Sequence, residues 1–310
     1  MSYARIVATG SYLPPKILTN LDLTKSVDTS DEWITQRTGI KQRCIIGEQE
    51  NVVTMAAKSA RSALQTANLQ PSDINMIIVA TCTAEQVFPS VACLLQAELD
   101  IPNCAAFDIQ AACSGFIYGL SIANQFLVGK QAQRVLLVGT EAMSKVVDWQ
   151  DRSSCILFGD GAGAVILESA AEPGIISTHL CANGKYKDVL TLLNGDYIKM
   201  QGNTVFKLAV KWLSEIAQQA LDTNKLQATD IDWVVPHQAN IRIIQATVKH
   251  LGIPLEKVIV TVDKHANTSA ASIPLALDVA IRDGRIKRGQ NLLFEAFGGG
   301  LTWGSALVRY

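Results

Sequence analysis

The chain has 310 residues, of which 48% are hydrophobic, and its 27 Lys+Arg against 28 Asp+Glu give a net charge of −1. This balance argues against nucleic-acid binding, which needs a basic surface, and the apolar fraction excludes a disordered chain. No apolar run of about 18 residues could span a membrane, and the start, MSYARIVATGSYLPP, lacks the form of a signal peptide. The seven cysteines are scattered without CxxC spacing, so we expect free thiols in the cytoplasm and no metal site.

Short apolar strands alternate with helices along the chain. We predict strands at Met76–Ala80, Phe107–Gln110, Arg134–Val138, Ala164–Leu167, Trp233–Val235, Asn291–Phe294 and Ala306–Val308. A helix is predicted from Phe116 to Val128. Buried strands that alternate with helices predict an α/β fold with mainly parallel sheets covered on both faces.

An internal repeat divides the chain near its middle. Residues 63–75 align with residues 220–232 at an offset of 157, and seven of the thirteen pairs are identical. Chance similarity between helix–loop–strand units is the alternative, but weaker matches follow in the same order and favour a duplication. We therefore predict two similar halves, 1–170 and 171–310, packed as five α/β/α/β/α layers. Ligands in such folds bind at the carboxyl ends of the strands, where these halves would meet.

One of the seven cysteines has a distinctive position. Cys113 lies in a run of small residues between a predicted strand and the helix that follows it. The start of a helix favours negative charge, so a thiol there is expected to have a lowered pKa and to be a good nucleophile. The alternative is a buried, inert cysteine, which is the expectation for the other six.

Three more segments carry candidate polar groups. His237 follows a predicted strand directly, and Asn267 lies in another small-residue run that enters a predicted helix. Each is otherwise a structural polar residue or, for Asn267, a helix cap. The glycine run at 298–300 could bring a backbone N–H close to a developing oxyanion. The segment from Phe158 to Gly163 precedes a strand, which argues against a dinucleotide-binding loop.

The carboxy-terminal third is basic. Residues 199–310 contain 13 Lys+Arg and 9 Asp+Glu, a net charge of +4 within a nearly neutral chain. Such an excess favours an acidic partner.

These motifs together resemble one enzyme family from end to end. The chain is similar to the bacterial β-ketoacyl-acyl-carrier-protein synthase III family of the thiolase superfamily. The segments that carry the resemblance are DTSDEWITQRTGI at 28–40, AFDIQAACSGF at 106–116, FGDGAGA at 158–164, VPHQANIRII at 235–244, HANTSAAS at 265–272 and EAFGGGLTWGSALVRY at 295–310. The chain departs from the family around Leu193–Gly202, where it is several residues shorter.

The resemblance implies a thiolase-like fold and a two-step condensation. Cys113, His237 and Asn267 match the catalytic positions of the family, and the N–H groups of Cys113 and Gly299 match its oxyanion hole. Cys113 would take an acyl group from acetyl-CoA or another short acyl-CoA. Malonyl-acyl-carrier-protein would then lose CO2, and its enolate would attack the acyl group. The substrates are CoA thioesters, and no cofactor is expected.

The resemblance also implies binding residues and a homodimer. Contacts to CoA would come from Thr29, Trp33, Arg37, Arg152, Gly202, Asn203, Phe206, Ala239 and Asn240. Phe297 and Phe88 would bound the acyl pocket, with Phe88 reaching across a dimer interface. The acidic carrier protein would bind at Lys207, Gln238, Ala239, Asn240, Ile241, Arg242 and Lys249. The alternative for these lysines and arginines is an ordinary solvated surface.

Three other functions stay open at this stage. A related condensing enzyme of secondary metabolism would use another acyl donor. A Cys-His-Asn thioester hydrolase would pass the acyl group to water, although the glycine run fits acyl transfer between thioesters better. A silent partner subunit would not need the three reactive side chains that this chain retains.

Overall fold

The computed structural model of the protein describes residues 3–310, which fold around two large β-sheets and also form two small two-stranded ones. The first part of the chain forms β1 (Tyr3–Tyr12), β2 (Lys16–Thr19), α1 (Asn20–Leu23), α2 (Asp31–Thr38), β3 (Gln42–Ile45), α3 (Val52–Ala67), β4 (Met76–Ala80), α4 (Val91–Glu98), β5 (Ala105–Ile109), α5 (Gly115–Val128), β6 (Arg134–Ala142), α6 (Arg152–Cys155) and β7 (Asp160–Ala170). The second part forms β8 (Ile175–Ala182), β9 (Leu190–Thr191), β10 (Lys199–Met200), α7 (Gly202–Thr223), β11 (Trp233–Pro236), α8 (Ile241–His250), α9 (Val262–His265), α10 (Ser272–Arg282), β12 (Asn291–Gly298) and β13 (Thr302–Arg309).

The two sheets repeat one strand order. The first is ordered β1-β7-β6-β4-β5, and the second, read in the same direction, is β8-β13-β12-β11. Only β7 and β13 run against the other strands of their sheets. The prediction of mainly parallel sheets is therefore confirmed. A fifth strand of the second sheet is reduced to one bridge between Val234 and Val258.

Helices cover both faces of each sheet and complete five layers. Helices α5 and α10 lie between the sheets, where Phe116, Leu120 and Leu277 pack against Leu137 of β6 and Phe294 of β12. Alanine-rich α3 covers the outer face of the first sheet, and α7 and α8 cover the outer face of the second. Burial of this apolar surface is the main stabilising contribution to such a layered fold.

Small side chains allow the layers to approach closely. At Gly10 on β1, any Cβ atom would lie only 2.3 Å from the backbone oxygen of Ser59 on α3. A side chain at this position would therefore force the outer helix away from the sheet.

The offset of 157 residues recurs in the local structure. Strand β4 begins at Met76 and β11 at Trp233, and the tight turns that precede them, 71–73 and 228–230, have the same capping arrangement. Asn68 and Lys225, which end α3 and follow α7, both adopt left-handed backbone with φ of 53° and 54°. These matches support the duplication that the sequence predicts.

The strand predictions are confirmed, with longer elements in several places. Strand β4 has the predicted bounds, whereas β6 and β12 each extend four residues beyond the predicted end. The predicted boundary between the halves lies where β7 ends at Ala170 and β8 has not yet begun at Ile175. Among residues 3–310, no helix is long and apolar enough to cross a membrane.

Candidate active site

The three candidate catalytic residues line one cavity of about 1270 Å³. Cys113 lies in the turn between β5 and α5, His237 directly follows β11, and Asn267 precedes the turn that leads into α10. Each is more than nine-tenths buried. The same cavity is also lined by Arg37 and Arg242, which are exposed, so it runs from the surface to the buried residues.

The turn that carries Cys113 is held in an unusual conformation. Ala112, just before the cysteine, has φ of 45°, a left-handed value that is rare for a residue with a side chain. The end of β12 packs directly against this turn, because a Cβ atom at Gly298 would lie 2.7 Å from the backbone nitrogen of Cys113. The predicted position of Cys113 at a sharp strand-to-helix turn is confirmed.

The expectation of a lowered pKa for Cys113 is wrong in this structure. Burial raises the pKa of the Cys113 thiol to about 12, and the negative charge of Glu141 acts in the same direction, while a hydrogen bond with Ser269 opposes it. The penalty for removing a thiolate from water therefore exceeds the stabilisation that the helix start provides.

A buried carboxylate, Glu141 on β6, organises the polar groups behind Cys113. Its oxygens accept hydrogen bonds from the hydroxyl of Thr83 at 2.6 Å and from the backbone N–H of Cys82 at 3.1 Å. Burial raises the pKa of Glu141, whereas these hydrogen bonds lower it. The carboxylate fixes the loop that brings Cys82, a second thiol, to the wall of the same cavity.

His237 is a neutral imidazole in this site. Burial lowers its pKa to about 3. Its Nδ1 lies 2.6 Å from the hydroxyl oxygen of Ser272, and that same oxygen accepts the backbone N–H of Gln238 at 3.2 Å. An uncharged imidazole with one nitrogen held by a partner can use its other nitrogen on a substrate.

The orientation of the Asn267 amide is fixed by its neighbours. Its Oδ1 accepts the backbone N–H of Ser269 at 2.8 Å, which leaves the NH2 group as the free donor. The backbone of Asn267 is bound on both sides, to the oxygen of Leu157 at 2.9 Å and to the N–H of Gly159 at 3.0 Å. Asn267 can therefore donate a hydrogen bond to a group in the cavity.

The predicted nucleotide contacts cluster at the surface. Trp33 and Arg37 line the cavity, and the Arg37 guanidinium lies 4.5 Å from the centre of the Trp33 ring. Arg152 also lies over this ring, at 4.9 Å, and donates to the backbone oxygen of Asp28 at 2.9 Å. An adenine could be held between Trp33 and Arg152 only after Arg152 moves away from the ring. Thr29 and Arg152 do not line the cavity.

The remaining predicted substrate contacts are brought together. The cavity is lined by Gly202, Asn203, Phe206, Ala239, Asn240, Phe297 and Gly299. The side chain of Asn240 caps α8 by accepting the N–H of Arg242 at 2.8 Å, so its oxygen is already engaged. The loop between β9 and β10, which overlaps the segment at 193–202, forms part of the wall.

Phe88 lies outside the cavity and is 83% exposed, next to Val87, which is 90% exposed. Large apolar side chains this exposed are typical of a surface that another chain covers. Val87 also lines the cavity, so whatever covers this loop would lie near the site.

The prediction that Gln238 contacts a carrier protein is wrong. Gln238 is fully buried, where its Oε1 accepts the N–H groups of Thr261 and Val262 and its Nε2 donates to the oxygens of Pro236 and Ile259. A side chain whose four hydrogen bonds are satisfied in the interior has no group left for a partner.

The other predicted carrier contacts have different surroundings. Arg242 is exposed at the cavity, 5.4 Å from the centre of the Phe206 ring, and Ile241 packs against the turn at Gly39. Lys207 instead lines a second, shallow depression in which Glu215 and Asp222 are also present. Lys249 is exposed but lines neither.

No cluster of three or more His, Cys, Asp or Glu side chains that could hold a metal ion occurs in the part of the chain described, residues 3–310. All seven cysteines are free thiols.

Sequence reasoning missed the groups that hold the candidate residues. Ser272 and Ser269 lie within the HANTSAAS segment, and their contacts to His237 and Asn267 depend on how β11 and α10 pack. Glu141 follows a predicted strand at its carboxyl end, where functional polar groups of this architecture collect. That position could have indicated from the sequence that Glu141 belongs to the site.

Comparison with known proteins identifies the family. The family profile of 3-oxoacyl-[acyl-carrier-protein] synthase III matches residues 107–184, and that of its C-terminal part matches residues 221–310. The β-ketoacyl-[acyl-carrier-protein] synthase III of Methylococcus capsulatus is 58% identical over 99% of both chains. This chain belongs to the β-ketoacyl-acyl-carrier-protein synthase III family. Members of this family are acyl-transferring condensing enzymes of fatty-acid biosynthesis.

Solved structures of synthase III proteins have the same fold. The Aquifex aeolicus protein has a TM-score of 0.97 at 50% identity, covering 99% of this chain and 100% of its own. The Pseudomonas aeruginosa protein has a TM-score of 0.95 at 38% identity, covering 99% and 98%. The thiolase-like fold that the sequence predicts is therefore confirmed.

Proposed function

We propose that this synthase III condenses a short acyl-CoA, acetyl-CoA first, with malonyl-acyl-carrier-protein to give a 3-oxoacyl-acyl-carrier-protein. The observation that carries the proposal is the convergence of the Cys113 thiol and two neutral hydrogen-bonding side chains, His237 and Asn267, in a single cavity that reaches the surface. A thiol can hold an acyl group, and neutral donors stabilise the enolate that decarboxylation produces.

In the first half-reaction the sulfur of Cys113 attacks the thioester carbon of the acyl-CoA. The oxyanion of the tetrahedral intermediate accepts hydrogen bonds from the backbone N–H groups of Cys113 and Gly299. The bond to the CoA sulfur then breaks, and the proton of the cysteine thiol ends on that sulfur. The products are acyl-Cys113 and free CoA. Because the thiolate is the attacking species, the Cys113 thiol gives up its proton during this step, at a cost that its burial raises.

In the second half-reaction malonyl-acyl-carrier-protein loses CO2 and leaves an enolate. The NH2 group of Asn267 and the Nε2–H of His237 donate hydrogen bonds to the enolate oxygen. The enolate carbon attacks the acyl carbon, the bond to the Cys113 sulfur breaks, and the sulfur leaves as a thiolate that takes a proton from solvent. Because His237 is neutral, it acts through its hydrogen bond rather than as a cation.

The binding roles belong to the same proposal. The adenine of CoA stacks on Trp33 after Arg152 swings away, with Arg37 and Thr29 nearby, and the pantetheine arm follows the cavity past Gly202, Asn203 and Phe206. Lys207, Ala239, Asn240, Ile241, Arg242 and Lys249 remain the candidate contacts for the acidic carrier protein, with Arg242 at the cavity mouth as the central one.

The assembly and the division of the chain are also proposals. Residues 1–170 form the half that carries Cys113, and residues 171–310 form the half that carries His237 and Asn267. Two copies pair so that Phe88 of each, exposed in the single chain, bounds the acyl pocket of the other. The enzyme acts in the cytoplasm without a cofactor, and its free thiols fit a reducing compartment.

The experiment that tests this function follows labelled acetyl groups. The protein is mixed with radiolabelled acetyl-CoA, with and without malonyl-acyl-carrier-protein. Without the carrier substrate we expect label on the protein, and with it we expect labelled 3-oxobutanoyl carrier protein and CO2. Free acetate as the only product would instead identify a hydrolase, and would overturn the proposal. A screen of longer and branched acyl-CoAs then separates a fatty-acid initiator from a condensing enzyme with another acyl donor.

A further inference from the structure

The proton on His237 must be on Nε2 if this nitrogen is to donate a hydrogen bond. A neutral imidazole carries one proton, on either Nδ1 or Nε2, and the partner of one nitrogen decides which. The Nδ1 atom of His237 has one hydrogen-bond partner in residues 3–310, the hydroxyl oxygen of Ser272 at 2.6 Å. A hydroxyl can donate or accept, so the direction of this bond depends on the other contacts of Ser272.

The second contact of Ser272 fixes that direction. The backbone N–H of Gln238 donates to the same hydroxyl oxygen at 3.2 Å. That N–H can only donate, so it uses acceptor capacity of the oxygen and cannot take its proton. Within residues 3–310, Nδ1 of His237 is the only acceptor that hydrogen-bonds to this hydroxyl. If Nδ1 were protonated, the Ser272 proton would be left unpaired at a site that is 98% buried, since the residue is 2% exposed.

The group that makes this contact is itself rigid. The side chain of Gln238 has four hydrogen bonds to buried backbone, so its own N–H cannot turn away from Ser272. Ser272 is the first residue of α10, a helix packed between the two sheets. Both partners of the hydroxyl therefore come from the segment that follows β11, and the hydroxyl itself is held by α10.

The first half of the duplicated fold has the same backbone arrangement without the His237–Ser272 contact. At the offset of 157, His237 corresponds to Ala80 and Ser272 corresponds to Gly115. A Cβ atom at Gly115 would lie 3.1 Å from the Cβ of Ala80, so these two positions also touch in the first half. The closeness of these two positions is therefore common to both halves, whereas a histidine and a serine occupy them only in the second half.

We propose that Ser272 is a positioning residue of the active site, which donates its hydroxyl proton to Nδ1 of His237 and so keeps the imidazole in the Nε2–H form. Ser272 does not touch the substrate. Its effect on rate rests on the proposed function, because only a reaction that needs a donor at Nε2 depends on this tautomer. Loss of the hydroxyl removes the partner that both selects the tautomer and orients the ring, so only a small part of the population presents Nε2–H to the substrate.

The direct test is the ¹⁵N NMR spectrum of the imidazoles in the full-length protein, with His237 assigned by the loss of its signals in His237→Gln. Wild-type His237 should carry its proton on Nε2. Ser272→Ala and Ser272→Gly should shift it toward the Nδ1–H form, and Ser272→Thr, which keeps the hydroxyl, should restore Nε2–H. Glycine is included because Gly115 occupies the equivalent place. A wild-type proton on Nδ1 would overturn the inference whatever the variants do, as would an unchanged Nε2–H form in Ser272→Ala.

The kinetic readout separates this role from a structural one. In Ser272→Ala we expect condensation to slow by at least tenfold, with the KM for malonyl-acyl-carrier-protein and the rate of Cys113 acetylation each within about twofold of wild type. Ser272→Thr should recover the lost rate. If the wild-type protein forms no acyl-enzyme at all, the proposed function fails, while the NMR result still decides the tautomer. If acetylation and condensation fall together in Ser272→Ala, the serine is a packing residue and the inference is wrong.

Discussion

The two halves of the molecule have the same backbone arrangement around the candidate active site but carry different side chains on it. Each has a strand, a tight turn and a central helix at the same offset, with turns at 112–114 and 269–271 leading into α5 and α10. The residues before Cys113 and its equivalent, Ala112 and Ser269, have φ of 45° and 48°, so even the strained backbone is shared. The difference lies in the side chains that this backbone carries.

Equivalent positions in the two halves carry different side chains. The pairs at the offset of 157 are Cys113 and Ala270, Ala80 and His237, Gln110 and Asn267, Gly115 and Ser272, and Glu141 and Gly298. The first half holds the proposed nucleophile and a buried carboxylate, and the second half holds the two proposed donors and a glycine. A duplicated fold thus provides two equivalent strand ends, and in our proposal one receives the acyl group while the other stabilises the enolate.

The largest effects should come from removing the donors of the second half. His237→Ala and Asn267→Ala should each lower condensation by about 10²–10³-fold, because each removes one hydrogen bond to the developing negative charge. Acetylation of Cys113 should stay within about tenfold of wild type, as measured by rapid-quench labelling without the carrier substrate. His250→Ala, which removes an exposed histidine on α8, is the matched control. If acetylation and condensation fell equally in the two variants, the proposed division of roles between the two halves would be wrong.

A smaller loss is expected where the two halves touch. In Gly298→Ala the new methyl group would lie 2.7 Å from the nitrogen of Cys113 and 3.1 Å from that of Ser114. Displacement of the nucleophile turn should slow acetylation by about 10²-fold. Gly184→Ala, whose Cβ would have no atom within 4 Å, should leave the rate unchanged. The initial rate of CoA release measures both, and normal release by Gly298→Ala would show that the strand end does not position Cys113.

A third comparison concerns stability. Glu295 on β12 is fully buried with neither carboxylate oxygen hydrogen-bonded within residues 3–310, whereas its equivalent in the first half is the apolar Val138. Burial raises the pKa of Glu295 to about 8. The unfolded chain loses this proton near pH 4.5 and the folded protein does not, so the group lowers stability progressively as pH rises from about 5 to 8.

Glu295→Gln should remove that pH dependence. The variant should gain roughly 4 kcal/mol over wild type between pH 5 and pH 8, because each pKa unit corresponds to about 1.4 kcal/mol. Urea unfolding at pH 5, 6.5 and 8 gives the difference between the two proteins, in which the other titrating groups cancel. Parallel pH profiles would show that Glu295 titrates normally in the folded protein.

The smallest effect should come from surface charge. Arg242→Glu at the cavity should raise the KM for malonyl-acyl-carrier-protein roughly fivefold and weaken its salt dependence, since exposed charges mainly affect association. Lys287→Glu carries the same charge change at an exposed residue before β12, outside the cavity and outside the predicted carrier contacts, and is the control. Similar effects of the two variants would indicate a general electrostatic attraction rather than a docking contact at Arg242.

The fold and the candidate residues could be predicted from sequence because both are local patterns. Strand β4 follows from five apolar residues, and the repeat at 63–75 and 220–232 follows from identical letters. The position of Cys113 follows from a strand, a run of small residues and a helix. These signals need no knowledge of what lies across the cavity.

The supporting contacts could not be predicted because they join distant parts of the chain. Ser272 meets His237 only after α10 packs behind β11, and Gln238 is buried although the resemblance implied a contact with the carrier protein. The pKa of Cys113 depends on burial and on Glu141, which a position at a helix start does not reveal. Such quantities depend on three-dimensional packing rather than on spacing.

The most direct test of the division between the halves is where the acetyl group goes. The protein is incubated with acetyl-CoA alone, digested at mildly acidic pH, and the peptides that contain the seven cysteines are weighed by mass spectrometry. We predict one acetyl group, on the peptide with Cys113, and none on the peptide with Cys82, although both thiols line the cavity. Acetyl on Cys82, or on no cysteine while CoA is released, would contradict the assignment of Cys113 as the nucleophile.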